Sequence, residues 1–474
     1  MLRQLFSVRV TSRAPRSRVY TRQTHSSSHD LLTELESRGL ISQVSSSEKL
    51  RRALEAPQTI YSGVDPTAKY LHVGHLLPFM CLFHFHIRGH TAIPLIGGAT
   101  GLVGDPSGRS TERPLSEASV VESNVDHLVA SLDRFFRGAM SYAKTRVHTL
   151  KEDAQPPKVL NNLEWFKDMG LLQFLRTVGI NARVNTMLAR ESVQSRLNSQ
   201  QGISFTEFTY QLMQAYDFLT LRRTHGCSIQ LGGSDQWGNI IAGIDLINRV
   251  DPAVLPDGTH DEQAFALTTP LLTTPSGEKF GKSAGNAVAL DESVTSVFDF
   301  YQFFLRSPDS VVGNYLKMFT LLPLPRIDAV LAEHAMSPEK RQAQRLLATE
   351  VTELVHGAAA VHKAQVVTGL LYESDYMSIR AADVLLALRG DPRLRVIPRA
   401  ELLETPIVKL AAAHGLVNSN GAARDLVKGK GLYVNDRVVS DSRHTIAAGD
   451  LLNGRFVILG AGTKKRTVLV TVEE

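Results

Sequence analysis

Tyr61-Ser-Gly-Val-Asp65-Pro-Thr-Ala-Lys-Tyr-Leu-His72-Val-Gly-His75 is the stretch that decides how this chain folds. Together with the preceding Gln58-Thr-Ile it gives residues 58–64 the β-branched and aromatic content of a strand, and Asp65-Pro66 supplies the turn that ends it. A helix is expected to begin near Gly74. The change from strand to glycine-rich loop recurs in Thr91-Ala-Ile-Pro-Leu-Ile96 before Gly97-Gly98, and in Ser228-Ile-Gln-Leu231 before Gly232-Gly233. Strands alternating with helices predict an α/β fold with a parallel sheet covered on both faces. Ligands of such a sheet bind at the carboxyl ends of its strands, where all three loops would lie.

His72 and His75 are three residues apart at the start of the expected helix, so both rings can face one ligand there. Free N–H groups and the dipole at that helix end favour an anion, and Gly74 allows close approach to the backbone. About 200 residues later, Lys279-Phe-Gly-Lys282-Ser283 places two lysines on a glycine-rich loop able to close over a polyphosphate. Together the two blocks suit a nucleotide triphosphate. Two other readings compete. His84, His86 and His90 raise a metal site, yet no glutamate or cysteine completes a ligand set and His84 and His86 point to different helix faces. Gly97-Gly-Ala-Thr-Gly-Leu-Val-Gly104 is similar to the dinucleotide loop of short-chain dehydrogenases, but it runs into Asp105-Pro106 rather than a helix.

The chain of 474 residues has room for two or three domains, and 43% apolar with 21% charged residues is ordinary for a globular protein. No apolar run reaches about 18 residues, so no membrane partner is expected. Cys81 and Cys227 are too few for a disulfide framework and fit a reducing compartment. Residues 1–29 hold six arginines, many Ser and Thr and no acid, the make-up of a mitochondrial transit peptide, which predicts the mitochondrial matrix. Those arginines account for the overall charge of +5, so basicity as a whole says little about partners. Residues 407–474 differ, with ten Lys/Arg against six Asp/Glu, and suit contact with a nucleic-acid backbone.

The order along the chain is a leader at 1–29, a catalytic unit at 30–292, a helical unit at 293–390, a Pro/Arg-rich linker at 391–406 and a small α+β unit at 407–474. Asp30 to Gly39 reads as a capped amphipathic helix. Pro338 to Val367 reads as one bundle helix, from apolar residues at three- and four-residue spacing.

Several blocks, taken in order, resemble the tyrosyl-tRNA synthetases of the bacterial and mitochondrial type, within class I. They are Tyr61 to His75, Gly97 to Arg113, Ser192-Val-Gln-Ser-Arg196, Ile203 to Phe218, Gly232-Gly-Ser-Asp-Gln-Trp-Gly-Asn239 and the Lys-Phe-Gly-Lys-Ser loop. The resemblance covers residues 30 to 365 closely. It implies a Rossmann-like catalytic domain that forms tyrosyl-adenylate from tyrosine and ATP and charges tRNA(Tyr). Tyr61 and Asp217 would hydrogen-bond the phenol hydroxyl of tyrosine. Such a site rejects phenylalanine because buried partners would be left unpaired, behaviour for which this family is a standard example. Asp105, Tyr210 and Gln214 would hold the α-ammonium, Gln236 the carboxylate, and Asp65 would lie near the α-phosphate and amino group. Gly63, Gly233 and Asp235 would contact ribose, with His75 close to it. Thr67, His72 and Gly74 would face the triphosphate. Lys279 and Lys282, with Arg109, Arg113 and Ser283, would neutralise pyrophosphate. Magnesium would ride on the triphosphate without a protein cage, and the family is homodimeric.

The tail from Leu416 to Val438 resembles an S4-type RNA-binding module, which makes Arg424, Lys428 and Lys430 candidate RNA contacts. Four positions depart from the family pattern: Ser62 stands for a frequent cysteine, Lys69 for an acid, Ser283 for a threonine of some members and Ala422 for a glutamate. A protein that keeps the fold for RNA binding alone is the other class of reading. Within class I, Tyr61 with Asp217 separates the chain from the tryptophan enzymes.

Overall fold

The structure is a computed structural model that describes residues 30–108, 111, 117–151, 153–199, 202–254, 260–273, 288–372, 376, 379–462 and 465–471. The leader, Arg109, Arg113, Lys279, Lys282 and Ser283 lie outside the described residues.

Six strands form the first sheet: β1 Gln43–Val44, β2 Thr59–Val64, β3 Thr91–Ile96, β4 Leu160–Asn161, β5 Cys227–Gly233 and β6 Phe265–Thr269. Their order is β1-β6-β5-β2-β3-β4, with every pair parallel except β1 on β6. Successive side chains of a strand point to opposite faces, and here both faces are covered. Ile60, Ala92, Ile96 and Leu267 join a core with α1 Leu76–His86 and α2 Ala118–Lys144. Tyr61, Ile93, Leu95 and Ala266 join another with α3 Phe205–His225 and α4 Trp237–Val250. Burial on both sides explains why these strands read as nearly continuous apolar runs. The chain leaves β2 toward β3 and β4, and β5 toward β6 on the other side. The strand order therefore reverses between β2 and β5, and a crevice opens at their carboxyl ends.

Helices α5 Val297–Leu305, α6 Asp309–Phe319, α7 Leu324–Met336, α8 Gln342–His356 and α9 Ala358–Tyr372 follow. Phe300, Phe304, Leu316 and Leu347 share the core of Phe79 and Phe136, so the bundle is continuous with the α1 face of the sheet. The expected single helix from Pro338 to Val367 is two helices. Gly357 sits between them at φ +85°, a left-handed conformation that glycine adopts without strain and that ends α8.

The second sheet contains β7 Leu394–Ile397, β8 Leu432–Val434, β9 Arg437–Val438, β10 Phe456–Ala461 and β11 Lys465–Thr471, in the order β9-β8-β10-β11-β7. The stretch read as a linker thus carries a strand, parallel to β11. Its flanking prolines and arginines masked the short apolar run Leu394 to Ile397. Phe456, Ile458, Val468 and Val470 face Val366, Leu370 and Val384 of the helical region. Val457, Leu459 and Leu469 face helices Arg399–Glu404, Ile407–Ala413 and Asn420–Lys428.

The helix Leu31–Ser37 is capped by Asp30, whose carboxylate accepts the Leu32 N–H. Arg38, just beyond it, is 3% exposed and donates to the carbonyls of Lys317, Thr320 and Leu322 at 3.2, 3.1 and 2.9 Å. Glu34 accepts from its Nε at 2.9 Å. This guanidinium fastens the first helix to the end of α6. Arg38→Ala leaves those acceptors buried without their donor and is expected to destabilise the chain by roughly 2–4 kcal/mol, seen as a lower urea midpoint.

Candidate active site

Tyr210, Gln214 and Asp217 are spaced by four and three residues on α3, so one helix face turns all three toward the crevice beside Tyr61 of β2. The Tyr61 ring is buried against Phe218 at 5.5 Å, and its hydroxyl has no hydrogen-bond partner among the described residues. Burial, and then the Asp217 carboxylate, raise this phenol well above its usual range. Asp217 is 3% exposed and accepts from Trp165 Nε1 at 2.8 Å and Asn162 Nδ2 at 3.1 Å. Burial pushes its carboxyl up to about 8, against the pull of those two donors and with Asp65 adding to the rise. A buried hydroxyl without a partner, next to a buried carboxyl, is a receptor for one further hydroxyl.

Two more carboxylates line the crevice. Asp65, at the end of β2, accepts from Thr100 Oγ1 and from the Tyr210 hydroxyl, both at 2.7 Å. Asp105 accepts from Gln236 Nε2 at 2.7 Å and from the Ser107 N–H at 2.9 Å. The glycine-rich loop after β3 takes its meaning from these groups. A Cβ on Gly97 would lie 2.0 Å from Asp65 Oδ1, one on Gly98 2.3 Å from Asn161 Oδ1, and one on Gly101 2.7 Å from Pro66 Cδ. The glycines let this loop press against Asp65-Pro66 and carry Thr100 and Asp105 into place. Close packing against Asp65-Pro66 and Asn161, and not a dinucleotide, accounts for these glycines.

His72 and His75 bracket a single 3₁₀ turn that leads into α1, with ring centroids 4.0 Å apart. His72 Nδ1 accepts the Gly74 N–H and His75 Nδ1 accepts the His72 N–H, both at 3.1 Å. Nδ1 is therefore unprotonated in each ring, and Nε2 carries the hydrogen. Burial lowers both pKa values, His75 to about 3, so both rings are neutral donors at physiological pH. His84, His86 and His90 each have separate partners: Arg88 at 3.0 Å, the Gln155 carbonyl at 2.8 Å and the Gln58 N–H at 3.1 Å.

The histidine segment is also clasped from outside. The Val73 N–H donates to the Val288 carbonyl at 3.0 Å and the Leu290 N–H to the Leu71 carbonyl at 2.9 Å. Val288 is the first described residue after Lys279 and Lys282 in the chain. Gly63 is exposed with open space where a Cβ would stand, Thr67 is exposed, and a Cβ on Gly233 would lie 2.9 Å from Asp235 Oδ1. Arg424, Lys428 and Lys430 are exposed on and just after the helix Asn420–Lys428. Thr100, Ser107, Asn162, Trp165 and Asn239 belong to the site but escaped the sequence reading. The signal available for Asn162 was its polar carboxamide in Leu160-Asn-Asn-Leu, at the end of an apolar strand.

Two family models match the chain. One describes class I tRNA synthetases for tryptophan and tyrosine, over residues 53–373. The other describes the C-terminal domain of tyrosine–tRNA ligases, over residues 394–469. A tyrosine–tRNA ligase of Desulfitobacterium hafniense is 40% identical, covering 92% of this chain and 98% of the relative. The mitochondrial tyrosine–tRNA ligase of Saccharomyces cerevisiae is 40% identical, covering 95% and 92%. A C-terminally truncated mitochondrial tyrosyl-tRNA synthetase of Coccidioides posadasii superposes with a TM-score of 0.64 at 38% identity, covering 71% of this chain and 91% of that one.

A carboxyl whose pKa is higher in the fold than in the unfolded chain contributes stability below its unfolded value and loses it as pH rises through the folded value. For Asp217 that window runs from the usual carboxyl range up to about 8. Asp217→Asn is therefore expected to gain stability relative to the wild type as pH rises through that window, read from paired urea midpoints at its two ends. A difference independent of pH would show that this carboxyl ionises normally.

Proposed function

The chain belongs to the class I tyrosine–tRNA ligases, and from that premise we propose how its own residues carry the reaction. The enzyme joins tyrosine to ATP as tyrosyl-adenylate, releasing pyrophosphate, and passes the tyrosyl group to the 3′ end of a tRNA. No side chain need act as a covalent nucleophile: the carboxylate of tyrosine attacks the α-phosphate, and the protein orients the two and stabilises the charge that develops.

The observation that carries the assignment of the amino-acid site is the unpartnered Tyr61 hydroxyl buried beside Asp217. A tyrosine phenol fits between them, donating to one and accepting from the other, whereas phenylalanine leaves both unmatched. Trp165 and Asn162 hold the Asp217 carboxyl in position. Asp105, Tyr210 and Gln214 then receive the ammonium, and Gln236 the carboxylate. Asp65, fixed by Thr100 and Tyr210, stands at the β2 end of the crevice for the amino group and the α-phosphate. Gly63, Gly233 and Asp235 take the ribose.

The Nε2 hydrogens of His72 and His75 face the nucleotide, His72 with Thr67 and Gly74 on the phosphates and His75 nearer the ribose. Neutral donors fixed before the reaction stabilise charge that grows on the leaving pyrophosphate. Lys279 and Lys282, with Arg109, Arg113 and Ser283, complete that neutralisation. The clasp between Leu71–Val73 and Val288–Leu290 supports this, because it ties one flank of the lysine loop to the histidine pair. Magnesium arrives with the triphosphate, whose oxygens ligate it.

The tRNA is tRNA(Tyr), and the exposed Arg424, Lys428 and Lys430 contact its backbone. The enzyme works as a homodimer in the mitochondrial matrix. The leader composition and the mitochondrial yeast relative support the location. Leu171, Leu172, Ile180, Val184 and Phe205, between 58% and 77% exposed, form the apolar surface that a second copy would cover.

Amino-acid-dependent ATP–pyrophosphate exchange on residues 30–474 tests the reaction. Exchange is expected with tyrosine and not with phenylalanine or tryptophan. Asp217→Ala should lower kcat/KM for tyrosine by about 100-fold or more, and Lys282→Ala should lower kcat. Exchange unaffected by Asp217→Ala would remove the phenol site from this pocket. For the dimer, Leu172→Asp is expected to shift the sedimentation coefficient from dimer to monomer.

A further inference from the structure

We infer that Asn239 is a positioning residue that holds Asp105 and Gln236 as a closed pair, and that the ammonium of tyrosine opens this pair by taking the place of the Gln236 amide on Asp105. The inference rests on the amino-acid site proposed above and concerns how that site recognises its charged end.

Asn239 is the third residue of α4 and is 3% exposed. Its Nδ2 lies 3.2 Å from Ser107 Oγ, 3.3 Å from Gln236 Oε1 and 3.4 Å from Asp105 Oδ1. Two amide hydrogens are thus shared among three acceptors, all belonging to the loop after β3 or the turn before α4. The contact with Gln236 fixes which way that carboxamide points. With its oxygen engaged by Asn239, its nitrogen must face Asp105, and it does so at 2.7 Å to Oδ2. Without Asn239 the Gln236 amide is free to turn over, and its oxygen would then oppose the carboxylate.

The closed pair satisfies Asp105 while the site is empty. A hydrogen bond to a carboxylate is stronger when the donor itself is charged, so an ammonium displaces a neutral amide from Oδ2. Asp105 keeps its other oxygen on the Ser107 N–H and Asn239, and so stays in place during the exchange. The released Gln236 nitrogen becomes available to the carboxylate carried on the same carbon as the ammonium. A ligand with both charges is recognised by one exchange. A ligand lacking the ammonium must bind with the pair still closed.

Calorimetric titration of the full chain without ATP separates these cases, using tyrosine, tyramine (ammonium without carboxylate) and 3-(4-hydroxyphenyl)propionate (carboxylate without ammonium). Asn239→Ala, which leaves the Gln236 amide unoriented toward the substrate carboxylate, is expected to weaken tyrosine roughly 10- to 100-fold while leaving the propionate within about 2-fold. Gln236→Ala, which removes the amide to be displaced, is expected to strengthen tyramine binding. Equal loss for all three ligands in Asn239→Ala would reduce Asn239 to a packing role and overturn the inference. So would no loss for any of them, or weaker tyramine binding in Gln236→Ala. Failure of the wild type to bind tyrosine would instead overturn the site assignment beneath it, and is distinguished by needing no variant.

Discussion

Carboxylates gathered at the carboxyl edge of a buried sheet must each be given donors, and most of the local structure around this crevice follows from that constraint. Asp217 takes its donors from Trp165 and Asn162, Asp65 from Thr100 and Tyr210, Asp105 from Gln236 and Ser107. The donors come from the loops after β3, β4 and β5 and from α3, so no single element builds the site. Asn162 is the most connected of them. Its oxygen accepts the Ala99 N–H at 2.7 Å, while its nitrogen reaches both Thr100 and Asp217 at 3.1 Å. One carboxamide joins the glycine loop to the buried Asp217.

Most of the fold was legible because it rests on periodicity and punctuation. The strand at 58–64, its turn at Asp65-Pro66 and the capped helix after Asp30 each combine several local cues that agree. The breaks in that legibility have separate causes. An apolar pattern at helical spacing continues across Gly357 although α8 packs into the first core and the end of α9 under the second sheet, so spacing alone could not show the turn between them. Leu394 to Ile397 is too short to display alternation, and it becomes a strand only because β11 offers an edge. In the site, motif residues such as His72 and His75 stood out, whereas Asn162 and Trp165 come from a four-residue stretch with no period. Their importance appears only when Asp217, more than fifty positions away, is brought beside them. The Gly97–Gly104 loop shows the reverse case. Its pattern was conspicuous, and its cause is close packing against a carboxylate rather than a cofactor.

The chain also uses its two sheets differently. The first places its ligand groups at strand ends, leaving both faces for helices. In the second, one face packs on the helical region through Phe456, Ile458, Val468 and Val470, and the other on its own short helices. A half-buried tie crosses near that junction: the Tyr376 hydroxyl and Arg466 both donate to Asp436, at a hairpin turn whose Asn435 and Asp436 have positive φ. The exposed basic residues of the tail are thereby carried on a unit with an apolar attachment to the rest of the protein.

The alternation of Ile60 and Tyr61 has a consequence for how this sequence tolerates change. The two neighbours belong to different cores, one beneath α1 and the other beneath α3. Gaining or losing one residue between Gln58 and Ile60 would move the isoleucine under α3 and the tyrosine under α1. The surroundings of Tyr61 are therefore encoded in phase as well as in residue identity. Deletions and insertions in this strand should be far rarer among functional descendants than substitutions, whereas the exposed Ala68 and Lys69 lie beyond it and carry no such phase.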